Sequence, residues 1–351
     1  MTLDSTKSFY WLKHSFKYIV SFGLSGVFLY AAFYNVDFNK VFDIIANASV
    51  FWLIIFILVF FFSHYLRALR WKYILSSVKR NTSMFNLFGA LMVGYGVNCV
   101  VPRLGEVSRA VVFGRAEKLS RSSMFGTVIV ERVIDILFLG LAVFVSVIIW
   151  TESLYDKFPW LKSALTITLF FMLAVFVLFF LVIKYKKNFY TVIIKMLSKI
   201  SEKAADKTAY IFDMLVTGFT SLKGTKNYVI TFFLSALIMI IYAFNAYIGF
   251  FMLGMENVHL VSYAMAWVLM SISAIGIVIP TPGGTGSYHI LTINALMLLF
   301  GFGRDISTAY AILTHIISYV LFIVAGLIFF FLMNKQHENL LKIVETEIEE
   351  L

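Results

Sequence analysis

Pro280-Thr281-Pro282-Gly283-Gly284-Thr285-Gly286 interrupts two apolar segments, and the reading of this stretch decides the fold. Proline removes a backbone donor and glycine has the weakest helix propensity, so a helix entering here must stop. The flanking segments belong in lipid, which brings bare backbone N–H and C=O groups to membrane depth. Such backbone is tolerated only where it is buried in protein or lines a wet cavity. The stretch therefore predicts a broken helix at a site that handles something polar inside the bilayer, as discontinuous helices do in transporters.

Working outward, the whole chain has membrane composition. Of 351 residues, 61% are hydrophobic and 14% charged, and the mean hydropathy is +0.89. These values lie outside the soluble range and predict an all-α polytopic membrane protein. Segments of spanning length run from Tyr18 to Tyr34, Val50 to Leu66, Ser123 to Trp150, Leu161 to Ile183, Tyr228 to Leu253 and Ile306 to Met333. Met84 to Val101 and Val261 to Ile279 are also apolar but end in proline or glycine breaks. The longest stretch between spans, Lys184 to Lys226, is shorter than the roughly 50 residues a soluble domain needs.

A single membrane domain over 1–351 follows, with a first half about 1–183, a connector about 184–226, a second half about 227–333 and a short tail 334–351. Ile193, Ile194, Leu197 and Ile200 give the connector an apolar face suited either to the inner leaflet or to a cytoplasmic helix pair. Lys7, Lys13 and Lys17 precede the first apolar run as in a signal peptide, but Ala46-Asn47-Ala48 lies too far on to be its cleavage site. The first helix is thus expected to be uncleaved.

The net charge of +10 is expected to serve orientation rather than nucleic acid. Basic residues follow the second segment (Arg67, Arg70, Lys72, Lys79, Arg80), fill Arg103 to Arg121 and follow the fourth segment, whereas the loops around Asp37, Glu152 and Glu256 are poor in them. By the positive-inside rule, both termini and the basic loops face the cytoplasm of a cell membrane. Met84 and Ser123 must then both begin inside, so the region between them is a re-entrant hairpin. Val261 and Ile306 must both begin outside, so the PTPGGTG region is a hairpin from the opposite face. Pro102-Arg103-Leu104-Gly105 echoes Pro280-Thr281-Pro282-Gly283. Opposed hairpins at corresponding places would make an inverted-topology repeat, for which so short an echo is the sequence support.

Ionisable residues inside membrane segments cost about 2.5–3.5 kcal/mol each on insertion scales. Glu106 and Arg109 share a helical face beyond Gly105, Glu131 and Asp135 share another with Arg132 between them, and Arg67 and Arg70 stand at i and i+3 before Trp71. Arg67 and Arg70 suit either a positive-inside anchor with an interfacial tryptophan or a phosphate receptor. The carboxylates need arginine partners, either as a structural lock or as a cavity for a charged headgroup. His289 follows the glycine run, and lone histidines of this kind serve either as hydrogen-bonded core residues or in proton coupling. Cys99, the one cysteine, excludes an internal disulfide and a multi-cysteine metal site. No P-loop or HExxH motif is present, and no metal or cofactor is expected. The run Gly283 to Gly286 offers backbone amides to a phosphate only weakly, because no spaced lysine completes it.

Arg67-Ala68-Leu69-Arg70-Trp71, Pro102-Arg103-Leu104-Gly105-Glu106 with Arg109, Glu131-Arg132 with Asp135, and Pro280 to Gly286 occur in an order that resembles the lysylphosphatidylglycerol synthase transmembrane family. The resemblance implies a flippase-like domain that moves phospholipid between leaflets. It implies no aminoacyltransferase here, since few residues follow the last apolar segment. Anionic or aminoacylated phospholipid is the implied partner, together with a second copy or a lipid-synthesis enzyme. Family members often carry an acidic residue where this chain has His289, which weakens any inference of a cationic headgroup. The expected substrate-binding residues are Arg67, Arg70, Arg103, Glu106, Arg109, Glu131, Arg132, Asp135 and His289, with Pro102, Gly105, Pro280, Pro282, Gly283, Gly284 and Gly286 as hinge or backbone lining. Two other functions fit the same residues: an enzyme on lipid-linked substrates with Glu131 or Asp135 as base, and a membrane anchor for such enzymes.

Overall fold

The computed structural model describes residues 19–150 and 224–336 with a few isolated positions between, and its described residues form ten helices. These are α1 (Ile19–Phe33), α2 (Phe38–Ala46), α3 (Val50–Ile74), α4 (Met84–Val100), α5 (Leu104–Ala116), α6 (Arg121–Ile149), α7 (Thr225–Met252), α8 (Tyr263–Val278), α9 (Ser287–Asn294) and α10 (Arg304–Gln336). Helices α3, α6, α7 and α10 are long and apolar enough to cross a membrane. The protein is therefore an all-α, multi-pass membrane protein. The expected span at Leu161 to Ile183, nearly all of the connector and most of the tail lie outside the described residues.

The first expected span is α1, and the chain bends sharply just beyond its end. α1 and α2 meet at 88°. Asn35 turns the chain at φ 56°, a left-handed conformation that asparagine tolerates well. Asp37 then caps α2 by accepting from the amides of Asn39 (3.1 Å) and Lys40 (3.5 Å).

Both proline-broken regions are helical hairpins. At the base of the first, Glu117 Oε1 accepts from Asn86 Nδ2 (2.9 Å) and the Ser83 amide (3.1 Å), while Lys79 Nζ binds Glu117 Oε2 (2.6 Å). At its tip the Gly105 amide donates to Asn98 Oδ1 (2.7 Å). In the second, Ser273 Oγ meets Thr292 Oγ1 (2.8 Å) and Ser287 Oγ donates to Gly276 O (2.6 Å), so α8 and α9 run antiparallel. With 17 and 16 residues, α4 and α8 reach about 25 Å, short of the roughly 30 Å hydrocarbon core. Pro102 precedes a left-handed Arg103 (φ 67°) and Pro282 a left-handed Gly283 (φ 56°). The echo between hairpins thus exists in the backbone, two residues from where residue identity aligns it. α5 begins at Leu104, two residues earlier than the start after Gly105 that the sequence suggested.

The described helices contribute to two compact units. One comprises Met1–Val59, Tyr95–Gly105 and Ala243–Gly326; the other comprises Phe60–Gly94, Glu106–Tyr242 and Leu327–Leu351. The first holds the glycine stretch, whose carbonyls are satisfied by side chains of other helices. Ser21 Oγ of α1 donates to Pro280 O (2.6 Å), Ser25 Oγ to Thr285 O (2.8 Å), and His315 Nε2 of α10 to Gly283 O (3.0 Å). The hairpin tips meet here too, since Tyr319 of α10 touches the Gly283 backbone and donates its hydroxyl to Cys99 O. The amides of Gly284, Thr285 and Gly286 are taken by Thr281 O, Pro282 O and His289 Nδ1. Those N–H groups are thus committed within the protein, which leaves no phosphate cradle at Gly284 to Gly286.

Gly286 lies at φ 88°, and a Cβ there would stand 2.6 Å from Ser25 O and 2.9 Å from Phe28 Cβ. Gly301 is also left-handed (φ 74°) but has nothing within 4 Å. Gly301→Ala should cost about 1–2 kcal/mol for the backbone alone, and Gly286→Ala clearly more because it pushes α1 away; thermal unfolding in detergent ranks the two.

Burial pushes the Glu117 carboxyl up, but Lys79, Asn86 and the Ser83 amide outweigh it and hold the carboxyl below the usual range. A depressed folded pKa contributes stability above the usual carboxylate range and loses it as pH falls through the lowered value. Acid titration of Tm should therefore show a smaller loss in Glu117→Gln than in wild type.

Candidate functional site

The second unit contains the charged residues that the sequence singled out. The apolar run of the second segment ends at Leu66, yet α3 continues to Ile74 and carries Arg67, Arg70 and Trp71 with it. Trp71 is fully buried and donates Nε1–H to Thr127 Oγ1 of α6 (3.1 Å). It is a core residue rather than an interfacial anchor, and Arg67 and Arg70 are buried beside it. What keeps the helix going is pairing, which removes the cost of two guanidinium groups in an apolar setting.

Glu131 and Asp135, one turn apart on α6, receive both arginines. Arg67 Nη2 donates to Glu131 Oε1 (2.8 Å) and Asp135 Oδ2 (2.7 Å). Arg70 Nη2 donates to Glu131 Oε1 (3.3 Å) and Asp135 Oδ1 (2.5 Å). Arg109, from the first hairpin, places Nη1 2.9 Å from Glu131 Oε2 and its guanidinium 5.1 Å over the Trp71 ring. Helix α7 supplies neutral partners: Tyr242 Oη accepts from Arg67 Nη1 (3.2 Å) and Ser235 Oγ from Arg70 Nη1 (3.1 Å). α3, α5, α6 and α7 are thus joined through one pair of carboxylates.

The cluster has a buried floor and a more open rim. Arg70 and Glu131 are sealed, whereas the side chains of Asp135, Glu106 and Arg132 are 15%, 28% and 37% exposed. Arg132 lies 3.7 Å from both Glu131 and Asp135 and 3.9 Å from Glu106. Among the described residues four guanidinium groups face three carboxylates, a formal excess of one positive charge. An arginine fork matches a phosphate as well as it matches a carboxylate, so the same groups can hold an anionic headgroup.

Seven of the nine expected binding residues therefore come together: Arg67, Arg70, Glu106, Arg109, Glu131, Arg132 and Asp135. Arg103 is exposed in the turn after α4 and belongs to the other unit, where it forms no ion pair among the described residues. His289 also belongs to that unit, buried behind the glycine run with its ring centroid 4.6 Å from that of His315. It is one of a pair and accepts the Gly286 amide, and His64 is likewise a buried, hydrogen-bonded histidine, with Nδ1 2.7 Å from Phe60 O. Trp71, Ser235 and Tyr242 escaped the sequence reading as partners. Ser235 and Tyr242 stand seven apart in an otherwise apolar run, and that spacing puts both on one helical face. Among the described residues no group of three or more His, Cys, Asp or Glu side chains is placed to hold a metal.

The motifs in these elements are part of a match that covers most of the chain. Residues 18–326 match the model of the lysylphosphatidylglycerol synthase TM region. The chain belongs to that family. A UPF0104 membrane protein of Methanocaldococcus jannaschii is 24% identical over 330 residues, covering 89% of this chain and 94% of its own. Another, from Methanothermobacter thermautotrophicus, is 23% identical over 332 residues, covering 88% and 92% respectively. No solved structure matches the chain.

Glu131 binds arginines through both carboxylate oxygens. Glu131→Gln should strand positive charge among Arg67, Arg70 and Arg109 and cost about 3–5 kcal/mol. Glu106→Gln at the rim should cost under about 1 kcal/mol. Chemical unfolding monitored by tryptophan fluorescence separates the two.

Proposed function

We propose that this family member translocates an anionic phospholipid between leaflets, with the Arg67, Arg70, Arg109 and Arg132 cluster as its phosphate receptor. The charge count carries this conclusion: among the described residues the cluster's four arginines outnumber its three carboxylates by one, and one phosphate anion neutralises the excess. The exposure gradient gives the order of events. A headgroup meets Arg132 and Glu106 first, then competes with Asp135 for Arg67 and Arg70, while Glu131 stays on Arg109 and keeps the floor closed. Asp135 and Glu106, released in turn, are available to an amino group where the headgroup carries one.

The acyl chains need not enter the cluster, so the cost of transfer is confined to the headgroup. An enzyme using Glu131 as general base is less well supported, because its carboxylate is sealed from solvent and both oxygens lie within ion-pair distance of guanidinium groups. Following the basic loops, we place both termini on the cytoplasmic side of the cell membrane. Export of a cationic headgroup against an inside-negative potential would then require about 2.3 kcal/mol per charge per 100 mV from a gradient or coupling ion.

Purified protein in liposomes carrying fluorescent phosphatidylglycerol or its lysyl ester in one leaflet tests this. Wild type should accelerate equilibration of at least one of these lipids. The double variant Arg70→Met with Asp135→Leu, which swaps an ion pair for apolar packing and should remain folded, should not. Equal rates for the two proteins would contradict the proposal.

A further inference from the structure

We infer that His289 and His315 form a binding site for a single proton, and that His315 is the ring that takes it up. Both lie in the first unit, with ring centroids 4.6 Å apart. The broken backbone beside them fixes their neutral tautomers. His289 Nδ1 accepts the Gly286 N–H (3.3 Å), so its own proton sits on Nε2. His315 Nε2 faces Gly283 O (3.0 Å); a carbonyl only accepts, so Nε2 carries the proton and Nδ1 is left with a lone pair. Among the described residues neither His289 Nε2 nor His315 Nδ1 has a hydrogen-bond partner.

The two rings differ in what protonation does. A proton on His315 Nδ1 leaves the bond to Gly283 O intact and makes it charge-assisted. A proton on His289 Nδ1 removes the acceptor of the Gly286 amide and unfastens the first turn of α9. His289 also sits in that first turn, at the positive end of a helix dipole, which opposes charge there. Once one ring is charged, its neighbour at this distance resists a second proton.

The surroundings favour a cation at His315. α4 ends at Val100 and α8 at Val278, and both present their carbonyl ends near the hairpin tips. Tyr319, whose ring lies 5.6 Å from that of His315, holds Cys99 O, and Gly283 O lies directly on His315. Helix C-termini and unwound carbonyls are how membrane proteins stabilise cations without water. Most of these carbonyls are already taken by hydroxyls of Ser21, Ser25, Ser287 and Tyr319, so the imidazole lone pair is the open base. The titratable neighbours are Tyr288, 5.4 Å from His315 ring to ring, Tyr319 and Cys99. α1 and α8 bring Phe33, Ser21, Ser25 and Ser273, which carry no charge, and the exposed Arg103 after α4 forms no ion pair among the described residues.

The proton site is independent of what the chain carries; driving translocation by a pH gradient would rest on the transport proposal above. Nitrogen NMR of imidazole-labelled protein in nanodiscs reads the site with no lipid moving. The six histidines are assigned by single His→Gln variants, and one that does not fold is assigned by elimination. From about pH 8 to about pH 4, His315 should pass from the Nε2–H tautomer to the charged form while His289 stays neutral. His289→Gln should leave that transition in place, because the glutamine oxygen can accept the Gly286 amide. Charging of both rings, of neither, or of His289 alone would overturn the inference.

Discussion

A polar group carried to membrane depth must be satisfied by the protein or by a wet cavity, and the structure depends on that constraint. The glycine stretch exposes backbone that would cost several kcal/mol per unsatisfied group in hydrocarbon. Ser21 and Ser25 of α1, His315 of α10 and Ser287 of α9 take up its carbonyls, so the hairpin and its neighbours are joined by necessity. The same constraint acts on charge in the second unit. Arg67 and Arg70 stay inside a helix because Glu131 and Asp135 wait one turn apart on another. Because each of these arginines contacts both carboxylates, removing one member disturbs the charge balance of the whole set.

These two solutions serve different ends. Neutral hydroxyls on carbonyls satisfy backbone without adding charge, which suits a structural junction. The arginine cluster does more than satisfy: it leaves one positive charge over and thins out toward Arg132 and Glu106. A purely structural lock would be expected to balance its charges and close its rim. Under the translocation proposed above, a phospholipid would bring a compact anion to this cluster and keep its apolar bulk in the bilayer.

Spans and breaks were legible in the sequence because hydropathy and proline are local signals. The helices at Val50, Ser123, Thr225 and Arg304 lie within a few residues of the apolar runs that announced them, and both hairpins break beside their prolines. What local signals could not carry was pairing. Hydropathy ended the second helix at Leu66 because it counts the transfer cost of Arg67 and Arg70 without seeing Glu131 some sixty residues on. Trp71 looked interfacial for the same reason. Ser21 and Ser25 were invisible as partners of Pro280 and Thr285, since a serine in an apolar run carries no address. The bend after Phe33 depends on Asn35 and Asp37, in the loop where the first apolar run was expected to end, whereas the short helix α2 beyond it had been expected as loop. Glu106, Arg109, Glu131 and Asp135 stood out in the sequence because charge is rare in these segments, and the structure brings them into one cluster, whereas Arg103 lies apart from it in the other unit.

The central claim is that the arginine cluster is a lipid-phosphate receptor, and native mass spectrometry of the detergent-purified protein tests it most directly. The wild-type protein should retain an anionic phospholipid in preference to zwitterionic lipid from the same membrane, and the Arg70→Met, Asp135→Leu double variant should lose that species while remaining folded. An identical lipid complement on both proteins would contradict the account.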